Sequence, residues 1–363
     1  MKVAITHDIL VEFGGAERVL QSLLHIYPGA KIYTAYLDRL VLENFTPPLS
    51  PKNIFVIPTR LFGLKPSSHI FQLLMPFLWQ SLNLEENDVV ISSSSFFMSN
   101  IIRVRRPLHI QYIHCPPKNI FGLSSKTPLQ KLINYAPLLK RQYVWALRQY
   151  PHIVVNSRYT QRVLRRISGV ASTIIHPPVY VPASFPQTSQ RDYFLIVSRL
   201  DKLKNIEMAI RACIKLGVPL KIVGEASDGN YLPQLRQIAG PNIEFLGFKK
   251  DTDVRALYRR AIAFIFTPRT EDFGIAPVEA MAYGVPVIAY FGGGAKETII
   301  HKKTGVFYFQ YTQEALVRAI LMLRSIRFSP SYIHAAAKKF DMIQFERRMS
   351  QYTKESYEQY AAQ

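Results

Sequence analysis

Cysteine and long apolar runs are both scarce in this sequence, and each scarcity excludes a class of protein. Only two cysteines, Cys115 and Cys213, occur in 363 residues. Two are too few for a disulfide framework, which favours a reducing compartment. The most apolar stretch, residues 61–80, is interrupted by the polar segment 65–69, so no membrane-spanning helix is expected. The amino-terminal stretch MKVAITHDIL is expected to be a first strand rather than a signal peptide.

Acidic residues are missing from one long segment, although the chain as a whole contains 25 Asp and Glu against 45 Lys and Arg, a net charge of +20. Between Val89 and Arg191 there is no Asp or Glu. This bias indicates an anionic partner surface, which could be a membrane, a nucleic acid or a polyanionic substrate. The segment carries fourteen basic residues: Arg103, Arg105, Arg106, Lys118, Lys126, Lys131, Lys140, Arg141, Arg148, Arg158, Arg162, Arg165, Arg166 and Arg191.

The length and the alternation of apolar strands with amphipathic helices predict two α/β domains, each a doubly wound parallel sheet. The first domain is expected over residues 1–179. Residues 180–192, with several Pro, Ser and Gln, are expected to be a linker. The second domain is expected over residues 193–341, beginning with the apolar strand YFLIVS.

The chain is organised around residues 263–300, AFIFTPRTEDFGIAPVEAMAYGVPVIAYFGGGAKETII. The pattern predicts strand, loop, helix, strand, glycine-rich loop and helix, so that two helix amino termini follow two neighbouring strands. Each such terminus has free N–H groups and the positive end of the helix dipole, which suits a phosphate. Two carboxylates, Glu271 and Glu279, lie beside the first of them and would repel a bare phosphate, so they more plausibly bind hydroxyls. Phosphate and hydroxyls together indicate a nucleotide-sugar.

Glu271 and Glu279 are separated by seven residues, with F-G, P-V-E-A-M-A, G-V-P-V-I-A and G-G-G-A-K-E-T-I in register around them. This segment resembles the E-x7-E motif of the family-4 retaining glycosyltransferases, which have the GT-B fold of two Rossmann-like domains facing a cleft. The start T-H-D-x-L-x-x-x-G-G-A-E-R resembles the bacterial mannosyltransferase branch. The alternative for the two glutamates alone is a solvated loop residue and a helix-capping residue.

The resemblance implies roles for residues in both halves of the chain. Arg199 and Lys204 match the family's S-R-L-x-x-x-K-N segment and would neutralise the leaving diphosphate. His114, in a Y-x-H-x-P pattern, would meet the donor sugar, although a structural hydrogen-bonding role is the alternative. Glu271 would hold sugar hydroxyls and Glu279 the ribose. The resemblance also implies that a terminal helix, residues 342–363, packs back on the first domain.

The catalytic set is therefore Glu271, His114, Arg199 and Lys204. The expected donor-binding set is Gly14, Gly15, Phe273, Gly274, Ile275 and Glu279. No D-x-D metal motif is expected, because Asp251-Thr252-Asp253 precedes a helix and is typical of a cap. Lys, Arg and helix dipoles can take the place of a cation, so no obligatory metal or cofactor is expected.

The sequence thus predicts a retaining hexosyltransferase with GDP-mannose as first donor and a UDP-hexose as second. Its acceptor would be a glycan or lipid-linked glycan in cell-surface polysaccharide synthesis. The basic segment predicts a cytoplasmic protein held peripherally on the anionic inner face of the cell membrane, with no nucleic-acid partner. Two alternatives remain open, a basic nucleic-acid-binding protein and a sugar-nucleotide epimerase with the same two-domain form.

Overall fold

The structure is a computed structural model that describes residues 1–57, 69–96, 98–118, 120–121, 136–184, 191–226 and 229–362. The chain divides into two compact units, residues 1–178 with 343–363, and residues 179–342. Three features predicted from the sequence fall partly or wholly outside the described residues: part of the linker, over residues 185–190, and the basic residues Lys126 and Lys131.

The described part of the first unit contains a parallel sheet of seven strands in the order β3-β2-β1-β4-β5-β6-β7. Its strands β1, β4 and β5 are buried at every position, as expected for a parallel sheet covered on both faces. Alternate residues of β1 enter different apolar clusters, Ile5 on one face and Ala4 on the other. The strands are β1 Val3–His7, β2 Lys31–Thr34, β3 Ile54–Val56, β4 Val89–Ser94, β5 Leu108–Ile113, β6 His152–Val155 and β7 Thr173–Ile174.

Helices connect these strands, each with an apolar face against the sheet. The first begins after Gly14 and buries Val19, Leu20 and Leu23, the i, i+1 and i+4 spacing of a helix stripe. The helices of this part are α1 Gly15–Ile26, α2 His69–Gln80, α3 Ala136–Gln149 and α4 Arg158–Ser168.

The described part of the second unit contains a parallel sheet of six strands in the order β10-β9-β8-β11-β12-β13. The strands are β8 Tyr193–Val197, β9 Leu220–Val223, β10 Ile243–Gly247, β11 Ala261–Phe266, β12 Val287–Tyr290 and β13 Gly305–Tyr308. The helices are α5 Ile206–Leu216, α6 Tyr231–Ile238, α7 Asp251–Arg260, α8 Ile275–Ala282, α9 Ala295–Thr298, α10 Gln313–Arg324 and α11 Pro330–Ala337.

Both sheets reverse their strand order at one point, between β1 and β4 in the first and between β8 and β11 in the second. In open parallel sheets, ligands bind beyond the carboxyl ends of the strands at such a point. The residues that follow these four strands are therefore the first place to look for a site in each unit.

The last helix, α12, spans Met342–Ala361 and packs in the core of the first unit. Phe345 and Met349 are buried there with Val154 and other strand residues, and the Phe345 ring lies 5.8 Å from the ring of Tyr112. The two points at which the chain enters and leaves the second unit are hydrogen-bonded to each other. The Val179 N–H donates to the Phe340 carbonyl at 3.0 Å, and the Met342 N–H donates to the Val179 carbonyl at 2.9 Å.

Gly224, directly after β9, has a backbone conformation that other residues rarely adopt, with φ of 134°. A Cβ atom there would lie 1.9 Å from the carbonyl oxygen of Ser198, so only glycine allows this approach. Because Ser198 directly precedes Arg199, the glycine also determines where the loop after β8 begins.

We therefore expect Gly224→Ala to lower the free energy of unfolding of the second unit by at least about 1–3 kcal/mol, since it adds both backbone strain and a clash. Urea unfolding followed by circular dichroism measures the change. Gly229→Ala is the matched control, because a Cβ atom there meets nothing within 4 Å. An equal unfolding midpoint for the two variants would contradict this account of the loop.

Candidate functional site

The loops that follow β8 and β11 carry the polar residues at the switch point of the second sheet. The β8 loop contains Arg199, a short 3₁₀ turn over Lys202–Lys204 and then α5. The β11 loop runs from Thr267 to Gly274 and leads into α8. Because β8 and β11 are hydrogen-bonded neighbours, the two loops lie side by side.

The main chain at Lys204 is fixed by hydrogen bonds from both of these loops. The Asp201 carboxylate accepts from the Leu203 N–H at 2.9 Å and the Lys204 N–H at 3.2 Å, which starts the turn. The Thr267 hydroxyl donates to the Lys204 carbonyl at 2.6 Å. The lysine is therefore anchored to the end of β11 as well as to its own strand.

Tyr311 completes this network from the other side. Its hydroxyl accepts from the Asn205 amide at 3.1 Å and donates to the Thr267 carbonyl at 3.0 Å. Asn205 has φ of 47° and ends the turn, a left-handed conformation that asparagine tolerates better than most residues. Sequence reasoning did not single out Tyr311, because its contact depends on the distant segment after β13.

Lys204 and Glu271 form an ion pair, with 2.7 Å between Nζ and Oε2. The two side chains are 17% and 29% exposed, so the pair is accessible without being fully solvated. The sequence assigned the lysine to a phosphate and the glutamate to sugar hydroxyls. The structure brings them together, so that a cation and a carboxylate are offered at one place.

The three glycines Gly292–Gly294 lie against the backbone of the loop that carries Glu271. A Cβ atom on Gly293 would be 2.4 Å from the Glu271 carbonyl oxygen, and one on Gly294 would be 2.5 Å from the Phe273 Cα. The Gly294 N–H also donates to the Glu271 carbonyl at 2.8 Å. The sequence predicted a helix terminus that binds phosphate here, and the four-residue helix α9 does begin after these glycines. The glycines also allow close contact between two backbones, and the phosphate role stays a prediction.

Arg199 and the start of α8 supply further cationic and N–H groups near the candidate site. The Arg199 side chain is 56% exposed, with Nη2 at 4.0 Å from Asp201 Oδ2. Gly274 precedes α8 with φ of 88°, so glycine is required at this position. The buried face of α8 leaves Ile275 half-buried at its first turn, where main-chain N–H groups have no partner within the helix.

Two predicted donor-binding residues have side chains engaged within the unit. The Phe273 side chain is 3% exposed, with 5.3 Å between its ring centroid and that of Phe340, and its assignment to the donor stays a prediction. Glu279 accepts a hydrogen bond from the Tyr258 hydroxyl at 3.1 Å. Its assignment to the ribose stays a prediction, now with a second, structural role beside it.

In the first unit, His114 follows β5 and lies half-buried next to the end of β4. Its Nε2 is 2.8 Å from the Ser93 hydroxyl, and its carbonyl accepts from the Asn156 amide at 2.7 Å. Burial, followed by the charge that a protonated His7 would carry, lowers the pKa of His114 to about 3. The imidazole is therefore neutral at physiological pH and can either donate or accept a hydrogen bond.

Gly14 and Gly15 open α1, directly after the loop that follows β1. The Gly14 N–H donates to Glu17 Oε2 at 2.9 Å, the reciprocal contact of a capping box. Sequence reasoning quoted Glu17 in a motif but gave it no role. Its buried position, only 7% exposed, could have been suspected from a carboxylate so close to an apolar helix face.

Comparison with known proteins is consistent with this arrangement. The sequence of residues 182–340 matches the family described as glycosyl transferases group 1. The match covers nearly all of the second unit, residues 179–342. The loops that follow its strands β8 and β11 hold the Lys204–Glu271 pair. The match confirms the prediction of a glycosyltransferase, without specifying its donor.

Relatives extend the comparison over more of the chain. Glycosyltransferase MJ1607 of Methanocaldococcus jannaschii is 32% identical over 151 residues, which are 40% of this chain and 39% of that protein. The α-1,3/1,6-mannosyltransferase ALG2 of Mus musculus is 25% identical over 338 aligned positions, and the alignment covers 80% of each chain. ALG2 of Kluyveromyces lactis is 25% identical over 365 aligned positions, and the alignment covers 82% of this chain and 71% of that protein.

Solved structures confirm the predicted GT-B fold. Anabaena Alr3699/HepE in complex with UDP has a TM-score of 0.75 and 20% identity, covering 98% of this chain and all of its own. Sucrose-phosphate synthase of Thermosynechococcus elongatus has a TM-score of 0.73 and 15% identity, with all of both chains covered. Within the described residues, no helix is long and apolar enough to cross a membrane.

We expect a double-mutant cycle of Lys204→Met and Glu271→Gln to show a coupling free energy of about 0.5–1 kcal/mol, since the ion pair is partly shielded from water. Urea unfolding of the four proteins measures it. The Lys221–Glu244 pair, on the same unit at 3.1 Å but with its glutamate 56% exposed, is the matched control and should show weaker coupling. Equal or absent coupling for Lys204 and Glu271 would contradict a maintained pair.

Proposed function

We propose that this chain is a retaining glycosyltransferase that moves a hexose, first of all mannose, from a nucleoside-diphosphate sugar to a glycan or lipid-linked glycan. The observation that carries the proposal is the Lys204–Glu271 pair, 2.7 Å apart, at the switch point of a glycosyl transferases group 1 domain. Such a pair offers a cation to a phosphate and a carboxylate to hydroxyls at one place. The product would enter cell-surface polysaccharide synthesis.

In this mechanism the protein stabilises the leaving group. The bond between the anomeric carbon and the diphosphate oxygen breaks, and the electron pair leaves with the nucleoside diphosphate. The acceptor hydroxyl oxygen bonds to the anomeric carbon with retention, and its proton passes to the departing diphosphate. Arg199, Lys204 and the N–H groups of Gly274 and Ile275 stabilise the growing negative charge, an electrostatic contribution that is commonly the largest in catalysis. The start of α1 at Gly14 and Gly15 stays a predicted donor-binding segment, in which the Gly14 N–H already donates to Glu17.

The two acids and the histidine act on the rest of the donor. Glu271 holds sugar hydroxyls while its partner Lys204 turns toward the phosphate. Glu279 holds the ribose with the carboxylate oxygen that the Tyr258 hydroxyl helps to orient. His114 contacts the sugar as a neutral imidazole. These cations and N–H groups suffice to neutralise the diphosphate, so we propose that the reaction needs no metal ion.

Two findings support the order of the donors. The ALG2 relatives, which match four fifths of this chain, are mannosyltransferases by name, which favours GDP-mannose. Anabaena HepE has been crystallised with UDP and with UDP-glucose, which keeps a UDP-hexose as the second candidate.

A donor-hydrolysis panel of GDP-mannose, UDP-glucose, UDP-galactose and UDP-N-acetylglucosamine tests this proposal. We expect GDP-mannose to be cleaved fastest, with the rate unchanged by EDTA. Arg199→Ala should lower the rate by about 10²–10³-fold, as for the loss of one anion-stabilising donor. Arg318→Ala, an exposed arginine on the same unit, is the matched control and should leave it unchanged.

Several results would contradict parts of this scheme separately. Cleavage of none of the four donors would reject a hexosyltransferase of this class. Loss of activity in EDTA, restored by manganese, would reject the metal-free mechanism. Full activity of a folded Arg199→Ala protein would remove that residue from the site.

We further propose that the enzyme works on the surface of an anionic membrane, at the cytoplasmic face. One side of α4 presents four exposed arginines, Arg158, Arg162, Arg165 and Arg166, at helical spacing. Arg103, also exposed, stacks on the half-exposed Trp145 at 5.2 Å, which places a cation beside an interfacial aromatic. Each basic residue near an anionic leaflet contributes about 1 kcal/mol, and a lipid-linked acceptor would be reached there.

Charge reversal on α4 tests the membrane proposal. We expect the wild type to bind phosphatidylserine vesicles in a sedimentation assay and to be released at high salt. Changing Arg162, Arg165 and Arg166 together to Glu should abolish this binding, because it replaces attraction to the anionic surface with repulsion. The control changes Arg318, Arg324 and Arg327 to Glu on the other unit, with the same change in net charge and all three exposed. Equal losses for the two triple variants, or binding of RNA but not of vesicles, would contradict the proposal.

A further inference from the structure

Four polar side chains form a continuous chain inside the first unit. Glu17 Oε1 lies 3.2 Å from His7 Nε2, His7 Nδ1 lies 3.0 Å from the Ser93 hydroxyl, and that hydroxyl lies 2.8 Å from His114 Nε2. His7 and Ser93 are each 1% exposed. The chain thus begins at a carboxylate under the start of α1 and ends at the histidine assigned to the donor sugar.

A count of protons restricts how this chain can be arranged. The Ser93 hydroxyl has one hydrogen, so it donates to one of the two imidazoles and accepts from the other. If it donates to His7, then His114 must carry its hydrogen on Nε2. If it donates to His114, then His7 must carry a hydrogen on Nδ1, and the tautomer of His114 is the opposite one.

Glu17 decides between the two arrangements. It is the third residue of α1, and its Oε2 accepts from the Gly14 N–H at 2.9 Å. A carboxylate only accepts, so His7 carries its hydrogen on Nε2. An imidazole that carries one hydrogen, and carries it on Nε2, has Nδ1 as its acceptor, and His7 Nδ1 lies 3.0 Å from the Ser93 hydroxyl.

We propose that Glu17, His7 and Ser93 are positioning residues that hold His114 as the tautomer with its hydrogen on Nε2. Nδ1 of His114 is then a hydrogen-bond acceptor of fixed direction, suited to a hydroxyl of the transferred sugar. Within the described residues, no hydrogen bond reaches that Nδ1. The inference rests on the proposed function, in which His114 meets the donor.

The tautomer can be measured directly on the whole protein. In a sample with ¹⁵N-labelled histidine, a long-range ¹H–¹⁵N correlation spectrum distinguishes the protonated ring nitrogen from the unprotonated one. His114→Gln and His7→Gln assign the two spin systems. We expect hydrogen on Nε2 in both histidines, with His114 neutral down to about pH 5, because the pKa of His114 is lowered to about 3. Hydrogen on Nδ1 of His114, or an imidazolium form of either His7 or His114 at neutral pH, would overturn the assignment.

A pair of serine variants tests whether the tautomer matters for turnover. Ser93→Ala breaks the chain, so we expect a mixture of His114 tautomers and a fall in kcat of about tenfold, with KM for the donor nearly unchanged. Ser93→Thr keeps the hydroxyl and should restore both the tautomer and the rate. Ser94→Ala is the matched control, because Ser94 is equally buried on β4 but donates to Asn100 at 3.0 Å.

The outcomes separate this inference from the proposed function. His109, which pairs with Ser92 at 2.7 Å, lies outside the four-residue chain, and its spectrum should be the same in the Ser93 variants. Should no donor be turned over, the spectrum still accepts or rejects the tautomer assignment. A changed tautomer in Ser93→Ala with unchanged kcat, or equal losses for the Ser93 and Ser94 variants, would reject the positioning role while leaving the glycosyltransferase proposal intact.

Discussion

The ion pair between Lys204 and Glu271 is the contact on which the candidate site of the second unit depends. It joins the loops after two neighbouring strands, and almost every other polar contact at that edge fixes one of the two loops. Asp201 and Thr267 form hydrogen bonds with the lysine main chain. Gly293 and Gly294 allow their own backbone to approach the backbone of the loop that carries the glutamate. The main chains that carry the cation and the carboxylate are therefore held by contacts other than the ion pair itself.

Features that follow from local pattern could be predicted from the sequence. Apolar runs such as YFLIV and AFIF are strands because a parallel sheet buries both faces of a strand, and β8 and β11 lie where these runs stand. Gly284 ends α8 with φ of 66°, as a glycine after an apolar helix predicts. The GT-B fold came from the resemblance, and the order of the strands was not predicted, since periodicity does not specify it.

Features that depend on contacts between distant segments could not be predicted. Nothing in a G-G-G run shows that its backbone will pack against the loop after β11, a contact that the structure places there. Glu279 faces Tyr258 across twenty-one residues of sequence, and His7 reaches Ser93 across eighty-six. The first contact joins helices α7 and α8, and the second joins the carboxyl ends of β1 and β4. A residue's type is therefore visible in the sequence, but its neighbour is not.

The hydrogen bonds that join Val179 to Phe340 and Met342 have a consequence for biosynthesis. In topological terms the second unit is inserted into the sequence of the first, and its first and last segments are hydrogen-bonded to each other. A ribosome delivers Phe345 and Met349 only after that whole unit has emerged. Until then the first unit lacks the side chains that pack against Tyr112 and Val154. Its core is therefore completed last, although its strands are synthesised first.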